Sequence, residues 1–585
     1  MASDGPLFGD GTRRSKGDQA RRYNLLAARL IADLIKNSLG PRGLEKMFVD
    51  VMGEVTVTKD GSTLLRKIDV EHPAAKIIIE ASNAVDNEVG DGTTSVVVLA
   101  GALVQKAEEL LDMGIAPSTI SDGYLKGLDI ALEALVAISK EYDNTDRQIM
   151  WRLARTCLQS KALGFDDKVA GFVVDAVCSI ADFGSNSMDI DDIKIEEKEG
   201  IVSDAEVIMG IVIDKTIDSS AMPKAVENAK IMLINDELEG KRTKTDAEIR
   251  ITSPDQIKSY ANAEANMIKS KVQHIIDSGA NVVFSRKGIN TLAQHLLTRA
   301  GIISVRRVKE NDLVWLAKAT GAAISEKLDH EYYDHHEHGG DHHDHILHHG
   351  DHYHHGDIEI KLGHAERVYE KQVGDDKMVF VAGCEDPKAV TLLLRASSKR
   401  TLDECHRSAI DAISVLRDFI VKPSVIAGGG AAEAAIARVV RQKASYITGR
   451  EQIVIQKFAD ALEEIPLTIA RNAGMNGIDS LVQLRSQHSN GKASSYGINA
   501  LERKVLDMLP AVIEPAIVKE QVLKTAVEVT NLLIRVDDVL MAKPTMSTHT
   551  HAGGLKHSHA GGDKEHRHDH FDRLGKQQRP AHHYY

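Results

Sequence analysis

The chain has 585 residues, more than one hydrophobic core accommodates, so roughly three or four domains are expected. It is 43% hydrophobic but only 4% aromatic, and its formal charge of −13 argues against a nucleic-acid partner, since phosphate recognition needs a basic footprint. The polar N-terminus lacks a signal-peptide core and no run of about 18 apolar residues suits a membrane span. Cys157, Cys178, Cys384 and Cys405 are widely spaced with no C-x-x-C, which fits a reducing compartment. A soluble cytoplasmic protein without a membrane partner is therefore expected.

Residues 1–19 read as a flexible Gly/Arg-rich arm. From Tyr23 to Leu39 apolar residues recur at helical spacing, and Gly40-Pro41 ends the pattern. Phe48-Val49 and Val55–Thr58 predict short strands, followed by a tight turn at Lys59-Asp60-Gly61-Ser62. A long helical region is predicted from about Ser95 to Lys140. Between about 200 and 330, β-rich runs alternate with helical stretches: Ile231–Ile234, Val282–Phe284 and Ile302–Val305. That is α/β layering. Asp246–Asp277 reads as polar and helical, and helices return over Ala431–Lys443, Gln452–Ala473 and Lys519–Asp538. The two terminal thirds share a texture and could form one domain around the β-rich middle.

Gly90-Asp91-Gly92-Thr93-Thr94-Ser95 packs a carboxylate, two glycines and three hydroxyls into six residues ahead of an apolar helix. Glycines admit close backbone approach, and a helix start offers unpaired N–H groups and partial positive charge to a phosphate. Asp91 can supply an oxygen to Mg²⁺, which keeps substrate phosphates and water around it. A magnesium–nucleoside triphosphate site is one reading; a turn that merely caps a structural helix is the other. It is not a P-loop, since G-x-x-x-x-G-K-[ST] is absent at this point.

Further motifs follow in a fixed order: Leu39-Gly40-Pro41-Arg42-Gly43, Thr58-Lys59-Asp60-Gly61, Gly90–Thr94, Ser160-Lys161-Ala162, Asp246–Ile251, Gly383–Val390, Ile410-Asp411-Ala412, Gly428-Gly429-Gly430 and Ile513-Glu514-Pro515. With them the chain resembles a group II chaperonin subunit, of the archaeal thermosome and eukaryotic cytosolic chaperonin type, over about residues 20–543. The resemblance implies a multidomain chaperonin fold. A mostly α-helical equatorial ATP-binding domain would comprise 20–149 and 425–543. A mixed α/β intermediate hinge domain would comprise 150–217 and 391–424. An α/β apical substrate-binding domain would occupy 218–390, with a helical lid protrusion at about 246–277 and a His-rich insert at 329–356. Residues 544–585 would form a disordered His/Gly-rich tail. Such subunits form double rings of like subunits, identical or mixed, that enclose unfolded client proteins on ATP hydrolysis.

The resemblance also implies roles. Leu39, Gly40 and Pro41 would line the nucleotide, Asp91 would bind Mg²⁺, and Gly92, Thr93, Thr94 and Ser95 would bond phosphate oxygens. Gly429 would pack beside the adenosine, and Glu514 would accept a bond from the ribose. Asp60 and Asp411 would flank the γ-phosphate and position or deprotonate the attacking water, because phosphoryl transfer needs mainly positioning and charge neutralisation. Lys59 and Gly61 go with the Asp60 turn, Lys59 either meeting phosphate or covering surface. Lys161 could sense the γ-phosphate, although a lone Lys is usually a solvated helix residue. Asp411 is far in sequence from the phosphate loop, so its approach would couple hydrolysis to domain closure. One departure is Arg395-Ala396-Ser397-Ser398, where the family usually carries Arg-Gly-Gly-Thr; losing those glycines stiffens the segment before Asp411.

Between His330 and His355 there are 12 histidines in 26 residues, and nine more follow Pro544. Imidazole nitrogens bind Zn²⁺, Ni²⁺ and Cu²⁺, and His345/His349 spacing would place two on one helical face. No fixed ligand set defines a site, so promiscuous metal binding stands beside a purely hydrophilic insert. The competing function is accordingly a slow or inactive holdase or metal-binding scaffold.

Overall fold

The computed structural model describes residues 13–159, 167–201, 204–239, 254–328, 361–385, 387–489, 494–541, 547–550 and 556–559. Residues 1–23 and 536–585 group as one unit, and 24–535 as another.

In the larger unit, both ends of the chain contribute to one helical core. The helices Pro73–Val89, Thr93–Asp112, Pro117–Ile138, Ala431–Ala444, Arg450–Leu462 and Ala516–Arg535 bury Leu99, Leu103, Tyr124, Phe458, Leu523 and Val527 together. Thr93–Asp112 carries an unbroken run from Val96 to Val104, and every residue of that run is buried. A helix apolar on all sides belongs in the middle of a core. Tyr124, also buried, satisfies its hydroxyl on the Leu103 carbonyl at 2.8 Å, as a buried phenol must.

Helix limits differ from the sequence expectation where local chemistry interrupts a period. The predicted helix over 95–140 is two helices, because Gly114 takes φ +74° and Pro117 starts the second. The 452–473 stretch is likewise divided, into Arg450–Leu462 and Glu464–Asn472. The first helix runs Gly17–Lys36 rather than 23–39, and the last runs Ala516–Arg535 rather than 519–538.

The middle of the chain forms a seven-stranded sheet. Ile303–Val305, Val282–Ser285 and Ala225–Ile234 run parallel, and Gly363–Val373, Asp376–Ala382 and Gly210–Ile213 continue it antiparallel. Val282–Ser285, Ile303–Val305 and the Ile231–Ile234 end of Ala225–Ile234 are short runs buried on both faces, as helix-covered strands are. Of the polar stretch 246–277, the helix Pro254–Asp277 is observed; 246–253 lies outside the described residues.

A smaller sheet joins Ile193–Glu199, Val390–Ala396 and Glu206–Ile208. It shares a core with the helices Arg147–Gln159, Asp167–Ile180 and Lys399–Val421, through Met150, Val173, Leu392, Leu416 and Phe419. Here the departure noted above has a structural use: Ala396 is buried in its strand, and Ser398 Oγ caps the Lys399–Val421 helix by accepting from Thr401 N at 3.3 Å.

In the terminal unit, Arg13–Lys16 pairs antiparallel with Asp538–Met541, so part of the expected arm is a strand. Farther along, Ser547–Thr550 pairs antiparallel with Lys556–His559.

At the junction of two helices, Glu463 is buried and accepts from Arg441 Nη1 at 2.7 Å and Arg485 Nε at 2.9 Å. Burial pushes its carboxyl pKa up, but the Arg485 and Arg441 hydrogen bonds prevail and hold it below the ordinary value. A depressed carboxylate pKa stabilises the fold above the unfolded pKa, near 4.3, and that contribution is lost as pH falls through the lower folded value. Glu463→Gln is expected to cost about 2–3 kcal/mol at pH 7 and distinctly less at pH 4. Urea unfolding followed by helical circular dichroism at both pH values checks this; an equal penalty at both contradicts it.

Candidate functional site: a cleft at a buried helix start

The start of the buried Thr93–Asp112 helix opens on a cleft of about 500 Å³. Gly92 is its N-cap, and no side chain caps it, so the first-turn N–H groups have no intrahelical acceptor. Asp91 Oδ1 accepts from Gly92 N at 2.7 Å, which fixes the carboxylate against the turn. Asp91, Gly92, Thr93, Thr94 and Ser95 all line the cleft. Gly90 ends the preceding helix at φ +66°, and a Cβ there would stand 2.3 Å from Ser414 Cβ. The Lys399–Val421 helix therefore lies directly against the turn.

Asp60 reaches the same cleft from another element. It is buried and caps the Gly61–Lys67 helix: Oδ2 accepts from Thr63 N and Ser62 Oγ, both at 2.8 Å, while Oδ1 accepts from Thr93 Oγ1 at 3.3 Å. Its backbone N–H donates to Thr58 Oγ1 at 3.0 Å, and that hydroxyl donates to Glu404 Oε2 at 3.3 Å. Glu404 belongs to the Lys399–Val421 helix, so this chain of bonds joins that helix to the strand that delivers Asp60. Lys59 is buried and lines the cleft as well.

Leu39, Gly40 and Pro41 form another part of the lining, pinned by Asn472 Nδ2, which donates to the carbonyls of Lys36 at 3.1 Å and Leu39 at 2.9 Å. Gly429 lines the cleft at φ +66°, and a Cβ there would come within 2.8 Å of the Ile498 carbonyl. Ile465, Ile469, Met508 and Val512 add apolar surface, and Glu514 a carboxylate.

Three sequence candidates stand apart. Gly61 does not line the cleft; a Cβ there would meet Thr94 Oγ1 at 2.7 Å, so its place is to let the helix start pack behind the phosphate-type turn. Asp411 is half-buried two turns beyond Glu404 on the same helix and is not among the cleft-lining residues. Lys161 lies outside the described residues.

The structure adds residues that sequence reasoning missed. Glu433 and Lys519 line the cleft, with Lys519 Nζ bonded to Glu433 Oε1 at 2.5 Å and 3.3 Å from Glu514 Oε2. Burial alone lowers the Lys519 pKa, but Glu433 and Glu514 overcome it and the ammonium is held well above its usual value. Glu514 is pushed up, first by burial and then by the Glu433 and Asp91 charges, against the pull of Lys519. A lysine within an otherwise buried helical stripe is the signal that could have found them, since a buried charge needs a partner. Asp418, buried on the Lys399–Val421 helix, is raised to about 7, mainly by burial and further by Asp91 and Glu88, against the pull of Arg417.

The arrangement suits a triphosphate. Helix-start residues with no side-chain cap and the hydroxyls of Thr94 and Ser95 line the cleft, Asp91 beside them can serve as an oxygen ligand for a hard cation, and Asp60 accepts from Thr93 of the same turn. The His-rich insert 329–356 lies outside the described residues, and no group of three or more His, Cys, Asp or Glu with metal-site geometry occurs among the described ones. No helix among the described residues is long and apolar enough to cross a membrane.

Comparison with known proteins returned one family model, TCP-1/cpn60 chaperonin, matching residues 31–544. A thermosome subunit of Methanopyrus kandleri is 43% identical, covering 93% of this chain and 96% of the relative. The thermosome alpha subunits of Archaeoglobus fulgidus and Sulfolobus acidocaldarius are 44% and 42% identical, covering 92% and 93% of this chain and 94% and 95% of their own lengths.

The contact between Gly90 and Ser414 is directly testable. Gly90→Ala is expected to cost about 2 kcal/mol or more, from overpacking and left-handed strain together. Ser414→Gly alone should cost about 0.5–1 kcal/mol as a helix-interior glycine, and the double variant should be more stable than the sum of the two single costs by about 1 kcal/mol because the clash is gone. Urea unfolding of the unaltered protein, both single variants and the double variant decides it, and purely additive costs contradict the contact.

Proposed function

The chain belongs to the TCP-1/cpn60 chaperonin family, group II, and on that premise we propose that it is an ATP-hydrolysing, ring-forming subunit that encloses unfolded protein. The observation that carries the proposal is the meeting of Asp60, Asp91, the uncapped start at Thr93 and Glu514 around one cleft.

In this reading the N–H groups of Thr93, Thr94 and Ser95 with the hydroxyls of Thr94 and Ser95 hold phosphate oxygens, which costs the protein little reorganisation because the helix is already fixed. Asp91 would hold Mg²⁺, which when bound neutralises charge on the phosphates. Leu39, Gly40, Pro41 and Gly429 would embrace the nucleoside, and Glu514 would accept from the ribose. Asp60, fixed by three donors, would orient the attacking water, and Asp411 would take its proton. Asp411 would enter when the Lys399–Val421 helix moves toward the turn, so hydrolysis would be coupled to closure. Lys161 would follow the γ-phosphate in the same movement.

The domain reading is part of the proposal. Residues 20–149 with 425–543 would be the ATP-binding domain, 150–217 with 391–424 the hinge, and 218–390 the client-binding domain, whose 246–277 segment closes as a lid. Double rings of like subunits in the cytoplasm complete it.

Steady-state Mg²⁺-ATP hydrolysis by the assembly tests this. Asp411→Ala and Asp60→Ala should each lower turnover by about a hundredfold or more while nucleotide binding persists. Turnover that survives Asp411→Ala removes that residue from the mechanism, and no turnover in the unaltered protein overturns the ATPase reading.

A further inference from the structure

Lys519 is a charged side chain only 6% exposed, in the Ala516–Arg535 helix. Its ammonium lies between two carboxylates: 2.5 Å from Glu433 Oε1 and 3.3 Å from Glu514 Oε2. The two partners differ in access. The Glu433 side chain is 2% exposed, in the first turn of the Ala431–Ala444 helix, whereas that of Glu514 is 28% exposed on the Ile513–Pro515 strand. Glu433, although it lines the cleft, is the more covered of the two and has its Oε1 engaged by Lys519. Glu514 is also walled in by backbone: a Cβ on Gly428 would stand 2.7 Å from Glu514 Oε1.

These facts together restrict how Glu514 can act. One carboxylate oxygen is beside an ammonium that is itself held by a second, buried carboxylate. The other oxygen, Oε1, lies on the Gly428 side, and the residue as a whole lines the cleft. A carboxyl group so fixed suits neighbouring hydroxyls, because a site built for a hydroxyl rejects the ligand that lacks it.

We propose that Lys519, anchored by Glu433, is a positioning residue that aims Glu514 at the sugar hydroxyls of the bound nucleotide and so sets the preference for ribonucleotides over deoxyribonucleotides. The inference rests on the reading of this cleft as the nucleotide site with Glu514 at the ribose. In this proposal Lys519 acts through Glu514, whose Oε2 it faces at 3.3 Å.

The test is equilibrium binding of ATP, 2′-deoxy-ATP and 3′-deoxy-ATP to the full assembly, with Lys519→Met, Glu514→Gln and Glu433→Gln beside the unaltered protein. The unaltered protein should favour ATP over at least one deoxy analogue by about tenfold. Lys519→Met and Glu514→Gln should each reduce that preference to about twofold or less, with deoxynucleotide affinity little altered. A loss of packing alone would weaken all three nucleotides alike, and that result overturns the proposal. So does a preference kept in Lys519→Met but lost in Glu514→Gln, which leaves the ribose reading standing. No preference in the unaltered protein, with Glu514→Gln binding as well, overturns the ribose reading itself. If Lys519→Met does not assemble, Glu433→Gln keeps the cation and the shape; an unchanged preference there overturns the anchoring, and a fall of several fold supports it.

Discussion

The start of the Thr93–Asp112 helix is held in place because the turns that follow it are buried on every side. Its Val96–Val104 stretch is buried in a core contributed by residues near both ends of the chain. Helix-start donors are weak binders when the helix frays, since the first turn then pairs with water. Here the cost of ordering is met by aliphatic packing, and the Gly92 cap leaves the donors directed at the cleft. Asp60 then depends on Thr93, whose hydroxyl it accepts, and Asp91 depends on the same turn through Gly92.

A second element touches this turn without belonging to its core. The Lys399–Val421 helix packs in a different cluster, with Leu392, Val173 and Met150, yet meets the turn at Gly90 through Ser414 and the Asp60 strand through Glu404. Both contacts are polar or steric rather than extensive apolar burial, and contacts of that kind can be exchanged at low cost compared with a core. A helix anchored in one core and resting on another is suited to movement between defined positions.

How much of this could be read in the residues varied with distance along the chain. Gly90–Ser95 was legible because its chemistry is complete within six residues. Val282–Phe284 and Ile231–Ile234 were legible because fully buried parallel strand segments are apolar runs, whereas the half-exposed start of the Ala225–Ile234 strand was not. The break at Gly114 was not, since the apolar period continues across it and only the positive φ reveals the turn. Gly61 read as a ligand contact because Asp-Gly turns are locally alike; its close approach to Thr94 is a tertiary fact. Lys519 and Glu433 were missed for the opposite reason: each alone reads as an ordinary helix charge, and only packing three elements together reveals one ammonium between two carboxylates.

The most direct test of the central claim is the structure of the assembly with Mg²⁺ and an ATP transition-state analogue. The expected result is the triphosphate mimic at the Thr93 helix start, Asp91 on the metal, and the Asp411 carboxylate moved to within about 3 Å of the attacking water. A nucleotide bound elsewhere, or one in this cleft with Asp411 still remote from the terminal phosphate, would contradict the account.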